Sequence, residues 1–148
     1  MRARPTRPLV LAALVSLAVG VTLTLTGPTA VAEVPQHRVP LTGAAEVPPP
    51  GDGNGRGQFA WSVDGTRLCY LLSVRRIGTA AAAHIHRGRA GVAGPVVVEL
   101  TAPTPTSAAC VTISSTLSTA LRTHPRRFYV NVHNVAHPTG AIRSQLHF

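Results

Sequence analysis

Lysine is missing altogether: every one of the fourteen basic residues is arginine. Acids are scarce too, and Glu33, Glu46, Asp52, Asp64 and Glu99 include no pair at a spacing that would set two carboxylates to acid–base work. No Gly-x-Ser-x-Gly elbow accompanies any histidine, so nothing supports hydrolase chemistry. Only six aromatics are present and the arginines are scattered, which argues against a nucleic-acid surface despite the formal charge of +9. Internal repeats are absent, which excludes a solenoid or propeller. The longest apolar run, Leu9 to Leu25, is interrupted by Ser16, Gly20, Thr22 and Thr24. It is short for a bilayer that needs about 20 apolar residues.

That run instead has the parts of an export signal. Arg2, Arg4 and Arg7 precede it, and Ala30-Val31-Ala32 before Glu33 is a small-residue cleavage site. Residues 1–32 are therefore expected to be removed, with no stable membrane anchor left afterwards, and 33–148 to form one domain. No cysteine lies at the cleavage point, which excludes a lipoprotein anchor. Taking Arg2, Arg4 and Arg7 from the formal +9 leaves +6 on the mature chain. This reads as a solvated basic surface able to adhere weakly to acidic envelope polymers or to another exported protein. Cys69 and Cys110 are the only cysteines. An even count in an exported chain points to one disulfide, with two separate buried thiols as the alternative.

From Glu33 onward the chain consists of short extended runs divided by Gly, Pro and Asn. Strands are expected at Arg38 to Gly43, Gly57 to Asp64, Arg67 to Val74, Ala80 to His86, Pro95 to Thr101, Ala109 to Ile113, Phe128 to His133 and Ala141 to Leu146. Several alternate as half-buried strands do: Phe59, Trp61 and Val63 against Gln58, Ala60 and Ser62, for example. Eight such runs predict an all-β sandwich. Asp64-Gly65 is a hairpin signal, and Pro48 to Gly55 reads as a loop whose Asp52-Gly53-Asn54 is a turn and lacks the ligand count of a calcium loop. One short helix is expected over Ser115 to Thr123, capped by Ser114 or Ser115, carrying Leu117, Ala120 and Leu121 on one face, and stopped by Pro125.

The chemistry-bearing feature is His84-Ile85-His86, echoed by Tyr129-Val130-Asn131-Val132-His133. On a strand, alternate side chains share a face, so His84 and His86 point one way and Ile85 the other. Tyr129, Asn131 and His133 likewise oppose Phe128, Val130 and Val132. Two histidines spaced i, i+2 lie roughly 7 Å apart, and an adjacent strand runs about 4.8 Å away, so three imidazoles can converge on one ion. Copper and zinc are the ions that imidazole suits. His124 or His137 could complete the shell, while His37 and His147 sit apart. The alternative is that these rings bond loop carbonyls or Asn131 and fix the turn from Arg87 to Gly94. Arg143 is expected to hold the last strand through a carboxylate, Glu46 or Glu99.

Four stretches carry a resemblance: Leu41-Thr42-Gly43-Ala44-Ala45-Glu46-Val47-Pro48-Pro49; His84 to Gly88 with Gly94 to Val98; Tyr129 to His133; and Gly140 to Leu146. In this order and at domain spacing they look like the landmarks of the CHRD domain, the module repeated in chordin. The chain is similar to single-domain bacterial members with a signal peptide. Ser144 departs from the glycine that usually precedes Gln-Leu. The resemblance implies an all-β, immunoglobulin-like or Greek-key sandwich and little about chemistry, since chordin is an extracellular binding protein. A looser likeness is to copper-zinc superoxide dismutase, another Greek-key sandwich with a His-x-His strand; no bridging histidine or aspartate-bearing zinc loop is present, so dismutase activity does not carry over. Function must be argued from the site.

Two expectations follow, both for a secreted, periplasmic or cell-envelope protein. One is a binding or structural module without enzymatic activity. The other is a copper- or zinc-binding protein using His84, His86 and His133, with at most weak redox activity.

Overall fold

The computed structural model describes residues 35–148, so the expected signal segment lies outside the described residues. Eight strands form: β1 (His37–Thr42), β2 (Arg56–Asp64), β3 (Arg67–Arg75), β4 (Ala80–Arg87), β5 (Val96–Leu100), β6 (Thr106–Thr112), β7 (Phe128–Asn134) and β8 (Ile142–Gln145). The helix α1 spans Ser115–Thr123, and short 3-10 turns occupy Gly43–Ala45 and Pro125–Arg127. Among the described residues no helix is long and apolar enough to cross a membrane.

Every pairing is antiparallel, in the order β5-β4-β7-β8-β1-β2-β3-β6. The single pair Thr42↔Arg143 joins β1 to β8, so the sheet divides at that seam into two four-stranded halves. The chain crosses between halves after β3, after β5 and, through α1, after β6, which is Greek-key connectivity. Val39, Leu41, Phe59, Trp61, Leu68, Leu72, Ile85, Val130, Val132 and Ile142 belong to one buried core.

Local chemistry accounts for the elements. Gly65, at φ +51°, opens the two-residue loop between Asp64 and Arg67, the position in such hairpins that demands positive φ. The Ser114 hydroxyl accepts from the Leu117 N–H at 3.1 Å and caps α1, while Pro125 ends it. Asp52 Oδ1 accepts from the Asn54 and Gly55 N–H groups, both at 3.0 Å, so this segment is a turn.

Two features differ from the periodicity. β6 begins at Thr106 and not at Ala109, because the polar Thr106 and Ser107 pair with Ser73 and Leu72, and the Ser107 hydroxyl donates to the Thr101 carbonyl at 2.7 Å. On β2, Ala60 and Ser62 are as buried as Phe59 and Trp61, so that strand is covered on both faces. Ser144 is accommodated opposite Val130 without breaking the β7–β8 ladder.

Cys69 and Cys110 stand directly opposite each other on β3 and β6, with their sulfurs 2.06 Å apart, at disulfide distance.

Candidate metal centre

Ala83 and Ile85 point into the core, so His84 and His86 must lie on the outer face of β4. A bulge between Ala80 and Ala82 shifts the register there, so Ala80 is buried although it has the same sequence parity as the histidines. On β7 the core takes Phe128, Val130 and Val132, leaving Tyr129, Asn131 and His133 outward. The register sets His84 opposite Asn131, His86 opposite Tyr129 and Ala82 opposite His133. His133 is thus diagonal to His84.

Each of His84, His86 and His133 offers one ring nitrogen, and these nitrogens lie within 4.8 Å of one another. His84 Nδ1 is 3.2 Å from His133 Nε2. Bonds of 2.0–2.1 Å to a tetrahedral ion separate two ligand nitrogens by about 3.3 Å. Neither His124 nor His137 joins this group; His124 ends α1, and the His137 N–H donates to Asn134 Oδ1. His37 packs instead against Trp61 and Phe148, with ring centroids 4.9 and 4.7 Å away.

The remaining ring nitrogens decide where the protons are. His86 Nδ1 meets the Gly94 carbonyl at 2.8 Å and His133 Nδ1 meets the Pro138 carbonyl at 3.0 Å. A carbonyl only accepts, so both rings carry their proton on Nδ1 and keep a lone pair on Nε2. His84 Nε2 meets the Glu99 carboxylate at 2.9 Å, so that nitrogen carries a proton and His84 Nδ1 is the one turned toward His133. His86 Nε2 is buried without a hydrogen-bond partner, and Asn131 Oδ1 stands 3.2 Å from His133 Nε2. The three imidazoles therefore bring one ring nitrogen each to a common point. The 3.2 Å between His84 Nδ1 and His133 Nε2 is met either by a proton that one ring donates to the other or by a metal between them.

Electrostatics favour the unprotonated form of His86 and His133. Burial, reinforced by His84 and Arg143, holds His86 below the ordinary imidazole range against the opposing Gly94 carbonyl and Asn131 side chain. Burial also lowers His133, with His84 and His86 adding to it and Pro138 and Glu99 opposing.

A shell behind the ligands orients them. Tyr129 stacks on His86 at 4.7 Å and 6°, and the Arg143 guanidinium lies 3.3 Å from the centroid of the Tyr129 ring. The Tyr129 hydroxyl accepts from the Gly94 N–H at 3.1 Å. Gly94 is required there, because a Cβ would collide with the Arg87 carbonyl. Arg143 Nη2 donates to the carbonyls of Val92 at 2.9 Å and Arg89 at 3.3 Å, and Gln145 Nε2 donates to that of Gly88 at 2.7 Å. The turn from Arg87 to Pro95 is pinned over the site by these bonds.

Arg143 is 2 % exposed, yet among the described residues no carboxylate lies within ion-pair distance of it. Its partners are main-chain carbonyls and the Tyr129 ring. Glu99 is engaged by His84. Glu46 acts on Arg143 only through space: burial pushes its carboxyl up to about 7, with Arg143 and the Val47 N–H opposing. Gly140 packs onto that carboxyl, where a Cβ would not fit.

Sequence reasoning brought the three histidines together but missed Glu99 as a partner of His84. Its signal was present in outward parity between the buried Val98 and Leu100; what was missing was the β4–β5 register.

The model of one family, the CHRD domain, matches residues 37–146, a span holding the three histidines, both cysteines, Glu46 and Arg143. No curated protein and no solved structure matches the chain.

Proposed function

We propose, from the premise that the chain belongs to the CHRD domain family, that this domain works outside the cytoplasm and binds one copper or zinc ion through His84, His86 and His133. The observation that carries the metal reading is convergence: one nitrogen from each of the three rings within 4.8 Å of one another, while the other nitrogen of each ring is held by an acceptor, Glu99, Gly94 or Pro138. Three imidazoles with no carboxylate or thiolate among them suit copper and zinc alike, and three ligands leave a coordination position open.

Calorimetric titration with zinc or copper(II) salts tests this. One ion per chain is expected, with His84→Ala, His86→Ala and His133→Ala each weakening binding at least about 100-fold, more than loss of an outer-shell partner costs. His37→Ala, which removes a ring held by Trp61 and Phe148, should leave binding unchanged. Affinity should fall as pH drops through about 6, because protonated imidazole cannot ligate. Equal, weak binding by all variants would leave the histidines as anchors of the Arg87 to Pro95 turn.

Support for the extracytoplasmic setting is the signal-like segment before Glu33 together with a cysteine pair at disulfide distance. Intact-mass measurement of exported protein should find a chain beginning near Glu33. Retention of residues 1–32 in the exported form would refute it.

A further inference from the structure

The three imidazole anchors are not equivalent. His86 and His133 are tied to main-chain carbonyls, whose positions the fold holds, whereas His84 is tied to a side chain from the edge strand β5. Glu99 stands directly opposite His84 in the β4–β5 register. It faces outward because Val98 and Leu100 are buried, and its side chain remains 76 % exposed.

Resting on the metal reading above, we infer that Glu99 is a positioning residue that sets which nitrogen of His84 meets the metal. A carboxylate accepts and cannot donate when ionised, so it holds the proton on His84 Nε2 and turns the Nδ1 lone pair toward His133 Nε2, 3.2 Å away. The site is then a mixed donor set, with Nδ1 from His84 and Nε2 from His86 and His133. Without Glu99 the acceptor at His133 Nε2, 3.2 Å away, draws the His84 proton to Nδ1, the nitrogen that must ligate. Because the carboxylate of this anchor is a largely exposed side chain and not a main-chain carbonyl, β5 is where affinity is adjustable: a basic group that captures the Glu99 carboxylate would loosen the metal without touching a ligand.

The test is long-range proton–nitrogen NMR on protein labelled with ¹⁵N-histidine, with and without zinc. In the metal-free protein at pH 8, His84 should carry its proton on Nε2, and Glu99→Ala should shift it toward the Nδ1-protonated tautomer. With zinc, wild type should show ligation through His84 Nδ1 and through Nε2 of the other two. Glu99→Ala should raise the zinc Kd about 10- to 100-fold. Glu99→Gln, whose amide oxygen still accepts, should keep Nδ1 ligation and bind more tightly than Glu99→Ala. Ligation through His84 Nε2, or a Glu99→Ala variant with unchanged tautomer and Kd, would overturn the inference while leaving the metal site standing. Failure of zinc to bind, with the metal-free tautomer as expected, would instead overturn the metal reading and with it the mixed donor set.

Discussion

Replacing Arg143 by alanine is expected to lower the unfolding free energy by about 4 kcal/mol, in the range seen when a buried charge network loses one member. The side chain is fully enclosed, and its removal acts in three places at once. The carbonyls of Arg89 and Val92 lose their donor, the Tyr129 ring loses the guanidinium stacked 3.3 Å above it, and Glu46 loses the cation that opposes its burial. Arg143→Lys should recover only part of the loss, because an ammonium cannot both stack on the ring and span two carbonyls as a planar guanidinium does.

The pH dependence has a defined sign. Glu46 has a folded value of about 7, raised above its ordinary 4.5, so the stability linked to its proton is fully present below pH 4.5 and is lost as pH rises through 7. The amplitude is about 3 kcal/mol at 1.36 kcal/mol per unit. Glu46→Gln should remove this slope. Urea unfolding at pH 5 and pH 8, followed by fluorescence of the buried Trp61, measures both effects. A loss below about 0.5 kcal/mol for Arg143→Ala would class it with ordinary surface charges.

Removing the Cys69–Cys110 bridge is expected to cost about 4 kcal/mol in the chain-entropy account of a closed loop of this length, a sequence separation of 41. The consequence should be local first. β6 is an edge strand held by β3 alone, and the bridge ties it there, so hydrogen exchange should rise in Thr106–Thr112 before the rest of the sheet. The double variant Cys69→Ser, Cys110→Ser and the reduced wild type should unfold at the same lower urea midpoint. Unreduced, unfolded wild type should offer no thiol to a labelling reagent. Labelling of both cysteines, or a midpoint unmoved by reductant, would show that the core suffices without the bond.

Much of this could be read along the chain. Extended runs between Gly, Pro and Asn, several of them alternating, marked eight strands, a cap at Ser114 or Ser115 and Pro125 bounded α1, and Asp64-Gly65 announced its hairpin. Each of these depends on neighbours a few residues away, where side-chain direction and backbone preference are set by local sterics. Parity alone put His84 beside His86, and Asn131 and His133 on one face.

Three-dimensional pairing decided the rest. That His84 faces Asn131 on one side and Glu99 on the other depends on which strands are neighbours and in what register, including two bulges that no alternation displays. Residues more than forty positions apart were joined this way at Cys69 and Cys110, and the polar Thr106 and Ser107 became strand because β3 offered them partners. Arg143 was expected beside a carboxylate, since charge is what a sequence displays. Its partners proved to be carbonyls of Arg89 and Val92, groups that every residue carries and that become specific only when folding brings a turn over the sheet. Periodicity determined which side chains share a face; strand order and register determined what each face meets.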